Sequence, residues 1–189
     1  TQRANFIGTG RTNAVGFSIG TKGYVGTGSI PNSAVNDFWE YDPSLDLWTQ
    51  KTNVPGTIRE YAFGFSIGSK GYIGGGGLDS INCNYNYYND FWEYDPTTNA
   101  WTQKANSVAI DRYGSAGFSI GTKGYLGLGC FYDSVCNISY YSDFWEYDPL
   151  LNSWFQKANF TGVARSFTAS FSIGNKGYIG TGWDGSLSF

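Results

Sequence analysis

The chain has 189 residues, of which 41% are apolar, 19% aromatic and 14% charged, with a net charge of −3. That balance can build the core of one domain or slightly more, but it offers no basic surface for a phosphate backbone, which excludes nucleic acid as a partner. The absence of histidine removes the commonest general base and the commonest metal ligand. No apolar run approaches the roughly 20 residues of a membrane helix, so membrane insertion is not expected. The chain also lacks methionine, which reads as a processed protein or a piece of a longer one.

Taken in order, the elements repeat. Thr1–Asn5 (TQRAN) matches Thr102–Asn106 (TQKAN), so the chain is expected to enter inside the last strand of a blade. FSIG then occurs at 17–20, 65–68, 118–121 and 171–174, each followed by Lys-Gly-Tyr at 22–24, 70–72, 123–125 and 176–178. DFWEYDP occurs at 37–43, 90–96 and 143–149, each followed by a tryptophan at Trp48, Trp101 or Trp154. A fixed period near fifty residues is the mark of a radial or stacked array.

Each period reads as four strands. Strand a ends in FSIG, as in Tyr61 to Ile67, and strand b is the stretch 70–77 and its equivalents. Strand c is DFWEYD, and strand d starts at the tryptophan, as in 101–106. Gly68-Ser69 suits a tight hairpin between a and b. Asp95-Pro96 suits a turn in which the Asp side chain accepts from the backbone ahead of it. In strand c, alternation puts Phe, Glu and Asp on one side and Trp and Tyr on the other. No segment has helical periodicity. The expected fold is all-β, a β-propeller of four-stranded antiparallel blades: residues 1–5 as strand d of an incomplete blade, blades at 11–53, 59–106 and 112–159, and a partial blade at 165–189.

The glycine run Gly74–Gly77, the Tyr-Asp of strand c and the following tryptophan together resemble the kelch repeat of β-propellers. An arginine six residues before each FSIG phenylalanine (Arg11, Arg59, Arg112, Arg165) fits the same resemblance. One departure is that strand b of the first, third and fourth repeats ends Gly-x-Gly. The resemblance implies six or seven blades. A fourth DFWEYDP is missing, so the chain reads as part of a larger propeller, closed by further blades of the same protein or by another chain. A four-bladed ring is the alternative.

Nearly every charge sits at a repeat position. The acids outside the repeat are Asp46, Glu60, Asp79, Asp111, Asp133 and Asp184. The four arginines allow two readings. One is a cationic ring at the mouth of the channel, suited to an anionic sugar or carboxylate. The other is a structural device in which each arginine pairs with a repeat acid such as Glu93 or Asp95, or with backbone carbonyls. One arginine per blade suits the second. The paired acids of DFWEYD are not read as a glycosidase pair, because three identical copies suit scaffold.

The a–b and c–d connections are uniform; the b–c loops (29–36, 77–89, 130–142) and d–a loops (54–58, 107–111, 160–164) vary, which places function on that face. Tyr85, Tyr87, Tyr88, Phe131, Tyr132, Tyr140 and Tyr141 lie there, set among Asn and Ser, a mix suited to flat contact with adaptable hydrogen bonds. The competing reading is that the tyrosines pack the loops onto the blades. Cys130 with Cys136, or Cys83 with Cys130, are the two disulfide pairings considered, and either implies an oxidising compartment. No Cys-x-x-Cys pair suggests a metal, and no cofactor is implied. Asn137-Ile138-Ser139 and Asn159-Phe160-Thr161 fit the glycosylation sequon. Asp79-Ser80-Ile81 and Asp133-Ser134-Val135 resemble an O-glycosylation site of Bacteroidetes surface proteins. The expected function is a non-enzymatic module, secreted or at the cell surface, that recognises protein or glycan. The alternatives are a sialic-acid mutarotase-like enzyme on a kelch propeller and a structural spacer. A copper oxidase on this architecture would need the histidines that are absent.

Overall fold

A computed structural model describes residues 2–78, 85–108 and 112–186. In chain order the strands are β1 (Val15–Ile19), β2 (Lys22–Gly26), β3 (Ser29–Ile30), β4 (Ser33–Ala34), β5 (Phe38–Asp42) and β6 (Leu47–Lys51). The second repeat gives β7 (Phe63–Ile67), β8 (Lys70–Gly74), β9 (Gly77–Leu78), β10 (Asn86–Tyr87), β11 (Phe91–Asp95) and β12 (Ala100–Gln103). The third gives β13 (Ala116–Ile120), β14 (Lys123–Gly127), β15 (Cys130–Tyr132), β16 (Ile138–Tyr140), β17 (Phe144–Asp148) and β18 (Ser153–Lys157), and the fourth β19 (Ala169–Ile173) and β20 (Lys176–Gly180). No helix occurs among the described residues.

Three four-stranded antiparallel sheets result, ordered β1-β2-β5-β6, β7-β8-β11-β12 and β13-β14-β17-β18, with β19-β20 beginning a fourth. Strands β1, β7, β13 and β19 lie side by side, so strand a is innermost in each blade. Ile67 pairs with Lys70 across a two-residue turn, and Gly68 has a φ of +58° there. A positive φ at the first turn residue is what a type II′ hairpin asks of glycine. The Asp-Pro turns behave as expected too: Asp42, Asp95 and Asp148 each accept the backbone N–H two residues on.

The core lies between blades, not within them. One apolar cluster joins Val15, Ile19, Tyr24 and Phe38 of the first blade to Ile73 and Tyr94 of the second. The next joins Phe63, Phe65, Tyr72 and Phe91 of the second to Leu126, Tyr147 and Trp154 of the third. The alternation of strand c is what allows this. Phe38 faces forward and meets Tyr94 and Trp101 edge-on at 4.9 and 5.0 Å; Phe91 meets Tyr147 and Trp154 at 4.8 and 5.1 Å. The glycine of Lys-Gly-Tyr serves the same interface. A Cβ at Gly71 would stand 2.5 Å from the Phe17 ring, and one at Gly124 would stand 2.3 Å from Phe65.

Several boundaries differ from those expected. Strand b ends at Gly74, not Gly77, because Gly75 and Gly76 take φ of +62° and +76°. Strand a begins after Tyr61, which has a φ of +57°. The b–c loops carry small hairpins of their own, β3–β4, β9–β10 and β15–β16. In Gly-x-Gly, the last glycine is the demanding one: a Cβ at Gly28, Gly76, Gly129 or Gly182 would stand 2.4–2.9 Å from a carbonyl oxygen of strand a's first turn or, at Gly129, also from the Ser115 hydroxyl. The middle residue, though left-handed, points where Thr27 or Leu128 fits.

Residues 2–7 form no strand, against the expected strand d. They nonetheless make the clamp that also ends β6 and β12. Ala4 N–H donates to Asp46 and its carbonyl accepts from the Trp48 indole. Thr52 does the same with Asn99 and Trp101, and Ala105 with Asn152 and Trp154, at 2.9–3.1 Å. The repeat tryptophan therefore ties each blade to the preceding one.

Candidate functional site

The first residue of strand c accounts for the arginines. Arg11, Arg59 and Arg112 each form a two-pronged pair with Asp37, Asp90 and Asp143, with the Nη2–Oδ2 arms at 2.8, 2.6 and 2.8 Å. Each also donates to a carbonyl sixteen residues on, at Thr27, Gly75 or Leu128. The same aspartates accept the indole N–H of Trp39, Trp92 and Trp145. Burial raises the carboxyl pKa of Asp37 and Asp143, but hydrogen bonds from the arginine and the tryptophan outweigh it, so both lie below the usual range. Arg59 is 0% exposed and Arg112 4%. The open ring of Arg11, Arg59, Arg112 and Arg165 is thus corrected for the first three. Their guanidiniums are inside the blades, and the acid that holds them is the leading Asp of the motif, neither Glu93 nor Asp95. Those two pair instead with lysines: Glu93 with Lys104 and Asp95 with Lys70, as Glu40 does with Lys22 and Lys51.

The loop aromatics divide into three groups. Tyr88 and Tyr141 cover the guanidiniums of Arg59 and Arg112, at 5.0 and 4.1 Å from ring centre to the arginine carbon. Tyr85, Tyr87, Phe131 and Tyr132 form one cluster, in which Tyr85 stacks on Tyr132 at 4.9 Å and Tyr87 meets Phe131 at 5.0 Å. Tyr87 also accepts the backbone N–H of Tyr132 at 2.7 Å, locking the β9–β10 hairpin onto β15–β16. Tyr140 stands apart, edge-on to Trp183 at 5.8 Å. For Tyr87, Tyr88 and Tyr141 the packing reading therefore describes the contacts.

Sequence reasoning did not select three residues that head strand a: Asn13, Glu60 and Tyr61. Asn13, Tyr61, Gly114 and Phe167 occupy one repeat position, and all four have φ between +55° and +65°. Left-handed backbone at a bulky aromatic is sparsely populated, and such strain concentrates where a side chain is aimed for use. Tyr61 N–H donates to the Asn13 carbonyl at 3.0 Å, which joins the first two blades there. Tyr61 lies edge-on to Phe167 at 5.3 Å and near Tyr113 at 5.0 Å.

Beside this row lies an open groove of about 710 Å³, between the β3–β4 hairpin of the first blade and the β9–β10 hairpin of the second. Asn13, Ser29, Asn32, Ser33, Glu60, Tyr61 and Asn86 supply its polar and aromatic lining, and Ile30, Ile58 and Leu78 its apolar part. Glu60 is 7% exposed. Asn13 Nδ2 donates to its Oε2 at 3.0 Å, and no cation lies within salt-bridge distance among the described residues. The signal for Glu60 was present in the sequence. It is one of the acids outside the repeat, at the position held by Thr12, Tyr113 and Ser166 in the other blades. Asp46, Asp133 and Asp184, from the same set, cap local turns or clamp neighbours. Asp79 and Asp111 lie outside the described residues.

Both expected disulfide pairings are overturned. Cys130 is a free, fully buried thiol, its pKa pushed up by burial although Ser166 and Tyr113 hydrogen-bond to it, while Cys136 is disulfide-bonded. Cys83 lies outside the described residues. Among the described residues no group of three His, Cys, Asp or Glu side chains is gathered to hold a metal ion, and no helix is long and apolar enough to cross a membrane.

Innermost strand a, the Arg–Asp pair and the Trp clamp recurring blade by blade define a kelch-type β-propeller. Among solved structures the chain is similar to YjhT, with a TM-score of 0.76 at 17% identity over 89% of this chain and 56% of that one. The chain thus spans little more than half the length of that neighbour. No family model and no curated protein matches it.

Proposed function

We propose that the chain is a recognition module that binds a hydroxyl-rich, glycan-type ligand in the groove between the first and second blades. The observation that carries this reading is Glu60. An unpaired carboxylate is costly to bury and is retained where it has work to do. Here it stands beside the amides of Asn13 and Asn86, the hydroxyls of Ser29 and Ser33 and the ring of Tyr61. That is the chemistry that meets a sugar: acceptors and donors around its rim, an aromatic face for its C–H side. A carboxylate at the floor, with no free cation in the lining, favours a neutral or amino sugar over an acidic one. The disulfide at Cys136 supports an oxidising compartment, and so a secreted or surface location.

The test is binding of neutral, amino and acidic oligosaccharides by saturation-transfer NMR. Glu60→Gln should weaken neutral-glycan binding at least tenfold and leave the unfolding midpoint equal or higher, since it removes a buried charge. Equal affinity for wild type and Glu60→Gln would sink the reading.

The second reading is a sialic-acid mutarotase-like activity on a kelch propeller, which the likeness to YjhT favours. It cannot lean on Arg11, Arg59 and Arg112, whose guanidiniums are engaged by aspartates. Arg112→Ala is no diagnostic for it, because loss of that buried side chain perturbs the blade. Line-shape NMR of a free sialic acid settles the choice: anomer exchange faster than in buffer at equal pH, and slowed by Glu60→Gln, would replace the binding-only reading.

A further inference from the structure

We infer that Glu60 is the receptor for a protonated primary amine, so that the groove between the first and second blades selects an amino sugar over its N-acetylated and neutral counterparts. The inference rests on the glycan reading above and names the sugar class that this groove takes. Backbone pairing fixes where the acid stands. Its N–H donates to the Gly77 carbonyl at 2.9 Å and its own carbonyl accepts the Gly77 N–H at 3.0 Å, an antiparallel bridge. The side chain is buried and lines the groove. The same bridge holds Thr12, Tyr113 and Ser166 in the other repeats. The carboxylate is therefore the departure, at a position the fold controls.

The donors around that carboxylate point to the class of ligand. Asn13 Nδ2 donates to Oε2 at 3.0 Å, and among the described residues no donor reaches Oε1. Because Asn13 uses its N–H on the acid, its amide oxygen remains as a second acceptor, also without a partner among the described residues. Glu60 is the charged member of the lining; the others are Asn, Ser, Tyr and aliphatic residues. The group that suits two such acceptors, one of them ionised, is an ammonium, with three N–H donors, a positive charge and no lone pair. A hydroxyl brings one donor and leaves the charge unmatched. An N-acetyl group brings one N–H and sets a carbonyl oxygen among acceptors. Tyr61 adds an aromatic face, which attracts a cation. Its N–H donates to the Asn13 carbonyl at 3.0 Å, and Phe167 braces its ring edge-on at 5.3 Å. Phe167 can lie there because the third repeat has a glycine at this position: a Cβ at Gly114 would stand 2.8 Å from the Phe167 ring. The groove, at about 710 Å³, has the size of a ligand pocket.

The test is calorimetric binding at about pH 6, where carboxylates are ionised. The probes are a glucosamine trisaccharide, its N-acetylated form, a glucose trisaccharide and a lysine tripeptide. The wild-type chain should bind the glucosamine trisaccharide at least tenfold more tightly than either other sugar. In Glu60→Gln that preference, read as a ratio within the folded variant, should fall below twofold, whereas Glu60→Asp, which keeps the charge, should retain a preference of the same sign. Equal binding of the glucosamine and N-acetylated trisaccharides to the wild-type chain would overturn the amine inference, and would leave the glycan reading standing if Glu60→Gln weakens both. A preference kept in full by Glu60→Gln would overturn it too, since the amine would then be held elsewhere, as would a preference lost equally in Glu60→Asp, which would trace the effect to shape. Failure of every trisaccharide to bind would remove the glycan reading and this inference together. A lysine tripeptide that binds as tightly as the amino sugar would overturn the sugar class and keep Glu60 as the amine receptor.

Discussion

At the scale of the residue, the same side chain types carry opposite meanings according to what surrounds them. Arg59 and Glu60 are neighbours in sequence and both are buried. Arg59 is matched by Asp90 and by two carbonyls, which makes it scaffold. Glu60 has an asparagine and a groove, which makes it a site. The sequence flagged Glu60 only as an acid outside the repeat, and nothing in the spacing said it would be buried without a cation. For Arg59 the consequence is testable. Asp90→Ala leaves a guanidinium inside the blade with one partner removed, which costs about 3–5 kcal/mol when a buried pair is broken from one side. Urea unfolding should show that loss. A loss below about 1 kcal/mol would mean that the carbonyls alone hold the arginine.

At the scale of the element, strand c does its packing in two directions and strand d closes the joint. Expected alternation in DFWEYDP was legible because a strand has a period of two. Which neighbour each side meets was not: Phe38 reaches forward to the second blade, and Tyr94 reaches back from it. The tryptophan after the motif was legible only as the start of strand d, and its indole N–H turns out to bond the carbonyl that ends the preceding strand d. Trp101→Phe keeps most of the ring and removes that bond to Thr52. Since one hydrogen bond is worth about 0.5–1.5 kcal/mol net, the variant should lose about that much in a denaturant titration, with exchange accelerated at Thr52 and Asn53. Unchanged exchange there would show that the clamp contributes nothing. The loop hairpins were hidden from sequence reasoning for a different reason. They are two or three residues per strand, too short for periodicity to register.

At the scale of the whole molecule, the absence of a core inside any single blade sets the cooperativity. Phe91 sits in the cluster that contains Leu126, Tyr147 and Trp154 of the next blade. Truncation to alanine should cost about 3–5 kcal/mol, and the loss should be felt on both sides of the joint. Hydrogen exchange should quicken in β13 and β14 as well as in β8 and β11. Quickening confined to the second blade would mean that the blades hold themselves together independently.

By itself the sequence determined the blade. Hairpin glycines, Asp-Pro turns and period-two alternation are local rules, and a motif recurring at a fixed spacing applies them again in each repeat. It also showed which face varies. Only the tertiary structure decided what the polar groups do, because burial and pairing depend on residues far apart in the chain: Arg59 on Asp90, Tyr87 on Tyr132, Glu60 on Asn13. Of the two readings of the arginines, the structural one, which one arginine per blade suited, describes Arg11, Arg59 and Arg112, and several loop tyrosines became packing. An acid outside the repeat became the candidate binding group, because folding brings Asn13 and the groove to it but, among the described residues, no cation within salt-bridge distance.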